Sequence, residues 1–285
     1  MDESDAVQVP CVVLAGGRIP QKLGEATGCQ IQALVPISGR PMISYVLDAL
    51  RAAKTVSQIF TVGAEPLRQE VLTSLIERQN FLSAVGGAVS ADKQVVFVPE
   101  VGEMLSNIRA GLAAIKTSLP VETGPTSGFV LLSTADIPLL TPEAVDDFVC
   151  RAAVLNADFC YPIVTKEAVQ AKYPSMGRTF VGTKDGVFTG GNLFLLKAEF
   201  FDRLAPVVEK VRAARKNPIK LAALLGPATL FLFAIKRISI EQVEKRAARL
   251  FGGKLRAVVS PYPEIAADVD KPEDLRAAEA MLEFR

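Results

Sequence analysis

The stretch Val12-Val13-Leu14-Ala15-Gly16-Gly17-Arg18 decides how this chain folds. Val9 to Leu14 is an apolar run of strand length, and it stops at two glycines followed by a positive charge. Glycines at that point let the backbone turn sharply and approach a ligand closely, with free N–H groups that cradle phosphate oxygens. Taken alone the pair is common turn punctuation. It has neither the Gly-Lys-Ser/Thr of a Walker loop nor the three glycines of a dinucleotide fingerprint.

Outward from this strand, short apolar runs alternate with helix-period patterns. Pro41 stands at the start of a helix over 42–53 that sets Ile43, Val46, Leu47 and Leu50 on one face. Strands are predicted at 58–62, 94–98, 129–132, 159–164, 192–196 and 255–259, and helices at 66–78, 104–115, 142–155, 240–251 and 272–282. Lys184-Asp185-Gly186 predicts a tight turn joining 180–182 to 187–189. From Glu199 to about Leu225 the pattern is helical with a break at Pro218. Alternating β and α units imply an α/β fold with a mostly parallel sheet. No linker or repeat divides residues 1–285, so one domain is expected, with a helical insertion near 200–252.

Composition narrows the function classes. Lys and Arg number 32 against 31 Asp and Glu, so no global charge recruits nucleic acid, and any attraction for phosphate is local. There is no histidine, and Cys11, Cys29, Cys150 and Cys160 lack the paired spacing of a zinc or redox site, which predicts reduced thiols. The acidic start, Met1-Asp2-Glu3-Ser4-Asp5, differs from a signal peptide, and a cytoplasmic location is expected. Leu221 to Ile235 is strongly apolar but shorter than the roughly 20 residues of a transmembrane span and is interrupted by Gly226-Pro227. A buried helix pair is the first expectation for it. Flanking Lys216, Lys220, Lys236 and Arg237 leave membrane-surface contact over 221–237 as the second.

In an open α/β sheet, ligands sit outside the carboxyl ends of the strands, so loops far apart in sequence converge there. Asp136, in Asp136-Ile137-Pro138-Leu139, follows a buried strand and reads either as a turn former or as a ligand. In Asp268-Val269-Asp270-Lys271-Pro272-Glu273-Asp274, alternation aims Asp268 and Asp270 the same way, and Asp270 is also placed to cap the helix that follows. Two convergent carboxylates suit a hard cation such as Mg²⁺, whose shell phosphate oxygens and water complete.

With these motifs in order, the chain resembles the MobA-like NTP transferases. The resemblance is carried by Leu14-Ala15-Gly16-Gly17-Arg18, Ala33-Leu34-Val35-Pro36-Ile37-Ser38-Gly39-Arg40-Pro41, Asp136-Ile137-Pro138-Leu139 and Val269-Asp270-Lys271-Pro272-Glu273-Asp274-Leu275. It implies a Rossmann-like three-layer α/β/α sandwich of the GT-A type. It also implies Mg²⁺- or Mn²⁺-dependent transfer of a nucleoside monophosphate from an NTP, CTP or GTP, to a small phosphorylated acceptor with release of pyrophosphate. Leu14, Ala15, Gly16 and Gly17 would hold the nucleotide, Arg18 would lie near the β/γ-phosphates, and Asp136 and Asp270 would hold the metal. Ser106 and Asn107, at a helix start, would contact the base or simply cap the helix.

Two departures qualify this. Where the family carries a lysine for the α-phosphate, this chain has Gln32, a neutral donor, and Lys22 is the nearby cation that could compensate. Asn192 is placed like the residue that touches the acceptor in related transferases, with Gly190 and Gly191 before it to let a ligand approach or simply to make the strand-entry turn, and Arg215 and Lys216 either bind an anionic acceptor or form a solvated face. The alternatives are a sugar-phosphate nucleotidyltransferase or glycosyltransferase of the same fold, and a catalytically weak nucleotide-binding regulatory protein.

Overall fold

The structure is a computed structural model that describes residues 7–69, 93–119, 127–214, 224 and 226–283. Its centre is β1 (Val9–Leu14), whose β-branched residues are buried on both faces because parallel neighbours flank it on each side. β4 (Val56–Gly63) and β6 (Phe129–Thr134) pair with β1, and β5 (Val95–Pro99) pairs with β4, all parallel. Beyond β6 the direction reverses. β10 (Leu193–Lys197) lies antiparallel to both β6 and β7 (Phe159–Thr165), and β11 (Leu255–Val259) runs parallel to β7. The hairpin of β8 (Val181–Thr183) and β9 (Gly186–Gly190) joins β7 through β9 and completes a nine-stranded mixed sheet. A two-strand ribbon, β2 (Pro36–Ile37) with β3 (Arg40–Pro41), stands apart from it.

The period of two along β1 sorts its side chains into two cores. Val9, Cys11 and Val13 pack with the helices Met42–Ala52 and Pro142–Val154 on one face. Val12, with Phe60, Val130 and Leu132, faces the helices Met104–Ser118, Phe201–Ala214 and Ile240–Phe251 on the other. The result is the expected three-layer α/β/α sandwich. Gly111 brings the 104–118 helix down onto β1, since a Cβ there would lie 2.6 Å from Val12 Cγ1. That close approach sets the start of the helix beside the Gly16 turn.

Local signals explain most boundaries. Thr141 Oγ1 accepts from Ala144 N at the helix opened by Pro142, and Ser239 with Gln242 forms a reciprocal capping box. Gly252 ends that helix in the left-handed region at φ 68°. Two short helices escape the sequence pattern, Gln21–Thr27 and Lys166–Lys172, each only about two turns long. The helical stretch expected from Glu199 begins as a 3₁₀ turn, Ala198–Phe200, and continues as Phe201–Ala214 with Pro206 inside it. Its predicted break at Pro218 lies outside the described residues, as does most of the helix expected at 66–78.

The second half of the apolar segment forms the helix Pro227–Ala234, where Phe231 is exposed, as are Ile235, Lys236 and Arg237 just beyond its end. Among the described residues no helix is long and apolar enough to cross a membrane. All four cysteines are unpaired, and Cys11 and Cys160 are buried in the core.

Candidate functional site

The site forms where β1 and β6 end side by side, with Leu14 in register with Thr134. Backbone bonds hold the departing chain in place: Ala15 N donates to Val62 O at 2.8 Å, and Ala135 N donates to Leu14 O at 3.2 Å. Between the two loops lies a cleft of about 190 Å³ lined by Leu14, Ala15, Gly16, Gly17, Gln32, Asn107, Thr134 and Asp136. The glycines differ in purpose. A Cβ at Gly16 would collide with the exposed Glu100 carboxylate and come within 3.0 Å of Asn107 Nδ2, whereas at Gly17 the nearest atom is Gln32 Oε1, 4.0 Å away. Gly16 therefore serves close packing, and Gly17 opens onto the cleft.

Asp136 is half-buried in this cleft, and Thr134 Oγ1 donates to its carboxylate. Burial, with the charges of Asp268 and Asp270 adding to it, pushes the Asp136 carboxyl up to about 7. The third loop is tied to this point by Val269 N donating to Asp136 O at 2.8 Å. Gln32 then links the first loop to the third: its Nε2 donates to Val269 O at 2.9 Å and to Asp270 Oδ1 at 3.2 Å. The three loops read from the sequence thus meet in one place.

Asp268 is also pushed upward by burial, against the opposing charge of Arg178. Arg178 Nη1 lies 2.8 Å from Asp268 Oδ1, Arg178 Nη2 donates to Asp268 O, and Asn192 Nδ2 donates to Asp268 Oδ1 at 3.1 Å. Arg178 itself is only 7% exposed. No local signal marks it, because its partner is 90 positions later in the chain.

Several expected residues take other roles. Asp270 does not cap the last helix, Pro272–Leu282. The buried Asp274 carboxylate does so, accepting from Asp270 N at 3.3 Å and Lys271 N at 3.1 Å, and it leaves the Asp270 carboxylate exposed at the cleft edge. Asn107 spends its amide on the chain: Oδ1 accepts from Val101 N at 2.9 Å and Nδ2 donates to Gly102 O at 3.1 Å, so it shapes the loop before its helix. Ser106, in the first turn of that helix, is exposed. Arg18 and Lys22 are exposed on the loop and short helix after β1, and neither lines the cleft or forms an ion pair among the described residues.

At Gly191 a Cβ would lie 2.5 Å from Ile265 Cγ2, so that glycine lets the chain jog between β9 and β10 against residue 265. The jog is held by Asn192 N donating to Ile265 O at 2.9 Å, while Asn192 O accepts from Thr134 N at 3.2 Å. Arg215 and Lys216 lie outside the described residues.

Among the described residues no three acidic, cysteine or histidine side chains converge closely enough to enclose a metal by themselves. The donor set instead suits a hard cation that takes one or two carboxylates from the protein and the rest from phosphate and water. Asp136 supports that fit, since a carboxyl crowded by two others gains from a nearby cation.

The pattern of the MobA-like NTP transferase domain matches residues 11–217. A comparison with curated proteins finds no match. Among solved structures, a hypothetical transferase from Thermus thermophilus is 38% identical, with 94% of this chain and 100% of that chain covered and a TM-score of 0.72. Two others are 13% identical with a TM-score of 0.52 and show likeness of fold alone. One is 4-diphosphocytidyl-2C-methyl-D-erythritol synthase from Anaerococcus prevotii, with 98% of this chain and 97% of that chain covered. The other is CMP:2-keto-3-deoxy-manno-octonic acid synthetase complexed with CTP, with 97% and 99% covered. Matched over well more than half its length by that pattern, the chain belongs to the MobA-like NTP transferase domain family.

Proposed function

We propose that this protein is a nucleotidyltransferase that transfers a nucleoside monophosphate from CTP or GTP to a phosphorylated acceptor with release of pyrophosphate, using Mg²⁺ or Mn²⁺. The observation that carries this reading is the meeting of the Gly16-Gly17 turn with Asp136 in one cleft, with Gln32 of that cleft bonded to Asp270 and so joining the first and third loops. The backbone N–H groups of the glycine turn would bind the triphosphate, and Asp136 and Asp270 would hold the cation. When bound, the cation supplies charge neutralisation at the α-phosphate and the departing pyrophosphate. An acceptor phosphate oxygen forms the new bond to the α-phosphorus as the α–β bridging bond breaks. Such a reaction asks the protein chiefly for positioning and electrostatics, so the lack of histidine is no obstacle.

Gln32 adds no charge at the lysine's position and its Nε2 is already given to Val269 O and Asp270 Oδ1, so the exposed Arg18 and Lys22, outside the cleft lining, are the cations that could supply positive charge. A neutral donor in place of a cation slows the chemical step, by an amount on the scale of one preorganised donor, roughly 2.7–4 kcal/mol. That substitution also favours a second reading, a nucleotide-binding protein with weak catalysis. Pyrophosphate release from each NTP with Mg²⁺ and a panel of phosphorylated acceptors, alongside sugar transfer from nucleotide sugars, separates the alternatives. The proposed function requires pyrophosphate from CTP or GTP. Nucleotide binding without turnover supports the weak binder, and sugar transfer without pyrophosphate makes the protein a glycosyltransferase.

A further inference from the structure

On the same sheet face as the Val12 core, an apolar cavity of about 380 Å³ lies between β7, β9 and β11 and the helices Pro227–Ala234 and Ile240–Phe251. It has twice the volume of the nucleotide cleft and falls within the roughly 300–1,000 Å³ of small-molecule sites. Phe159, Ile163, Phe188, Phe233 and Val243 supply much of its wall. Its two charged residues are already committed: Arg256 Nη1 lies 2.9 Å from Glu244 Oε2, and Ala257 N donates to Glu244 Oε1 at 2.7 Å. Among the described residues the wall therefore offers hydrocarbon contact and no unspent charge.

The cavity wall stands near the carboxylate cluster, since Tyr161 in that wall feels the charge of Asp268. Gly190 lies beside Tyr161 in the wall, and the Tyr161 hydroxyl occupies the space a Cβ at Gly190 would need. Two residues further, Asn192 donates to Asp268. Phe194, paired with Leu132 on β6, backs this part of the wall, its ring 6.0 Å from that of Phe159 and 5.6 Å from that of Tyr161.

We propose that the cavity holds the hydrocarbon part of the acceptor, and that the acceptor is a phosphate monoester carrying a single apolar chain. Its phosphate reaches the Asp136–Asp270 cleft past Asn192 while the chain lies under the helical insertion. This rests on the nucleotidyltransferase reading, which places the acceptor phosphate at that cleft.

The test uses the full chain and a series of n-alkyl phosphates from two to ten carbons, kept below micelle-forming concentrations, with affinities measured by calorimetry. Each methylene that enters the cavity should tighten binding about fourfold until the cavity is filled. Ala247→Phe and Ala257→Leu, each filling the cavity from a different wall, should flatten that dependence and leave CTP binding unchanged. A 1-alkanol of matching length should compete with octyl phosphate. The wild-type series decides even where a filling variant fails to fold. Equal affinity across the series, or a dependence untouched in folded variants, overturns the proposal. Chain-length dependence without pyrophosphate release from CTP or GTP supports the hydrocarbon site and rejects the transferase reading. Pyrophosphate release with no chain-length dependence does the reverse.

Discussion

Asp136→Asn should make the metal-free protein more stable at neutral pH. The folded state raises this carboxyl from 3.8 to about 7, chiefly through burial, with Asp268 and Asp270 adding repulsion. Below the unfolded value both states hold the proton, and the residue imposes no penalty. Between the two values the folded state holds more protons than the unfolded one, so stability falls as pH rises, and the full penalty is reached above the folded value. The shift of about three pH units corresponds to at most about 4 kcal/mol, and water reaching a half-buried group reduces this to roughly 1–2 kcal/mol. Asparagine removes the charge and keeps an oxygen for the Thr134 hydroxyl. Urea unfolding in chelator should therefore show the variant more stable than wild type at pH 8, with the gap closing toward pH 4. Added Mg²⁺ should stabilise wild type more than the variant. Equal stabilities at pH 8, or a gap that widens toward pH 4, would refute the reasoning.

Gln32→Lys restores a cation beside Asp270 and the cleft and should tighten CTP or GTP binding, or raise turnover, about tenfold; a value unchanged or reduced for both would show that Gln32 is used in another way. Arg178→Met leaves Asp268 partly buried without its charge partner and should cost about 3 kcal/mol in denaturant unfolding, whereas a loss below about 0.5 kcal/mol would mean the pair is merely superficial. Gly17→Ala puts a methyl into open space at the cleft, with nothing nearer than Gln32 Oε1 at 4.0 Å, so the variant should fold within about 1 kcal/mol of wild type yet bind nucleotide at least tenfold more weakly by calorimetry. Gly191→Ala meets residue 265, which is buried and has nowhere to go, and its thermal midpoint should fall by several degrees.

The strands of the main sheet and the three loops are legible because each is a local pattern, whereas the two-residue strands of the β2–β3 ribbon are too short to show one. Val9–Leu14 is apolar throughout and ends in glycines, Asp136 follows a buried run, and Asp270 precedes Pro272 at a helix start. What escaped is set by tertiary contact. Arg178 has an ordinary neighbourhood in sequence and acquires its meaning from Asp268, and Asn107 binds the loop at 101–102 while lining the cleft. Asp270 matched a helix-capping pattern, yet the buried Asp274 meets the backbone need and frees Asp270 for the cleft. The helices Gln21–Thr27 and Lys166–Lys172 are too short to establish a periodic face. The apolar cavity depends on how Ile240–Phe251 and Pro227–Ala234 stand over β7, β9 and β11, a packing outcome that composition does not encode.

The central claim is that the glycine turn, Asp136 and Asp270 form one metal-dependent triphosphate site. Calorimetric titration of CTP and GTP, with and without Mg²⁺, into wild type, Asp136→Ala and Asp270→Ala tests it most directly. One of the two nucleotides should bind wild type in a Mg²⁺-dependent manner, and each alanine variant should lose that dependence. Binding that persists unchanged in both variants at every Mg²⁺ concentration would contradict the claim.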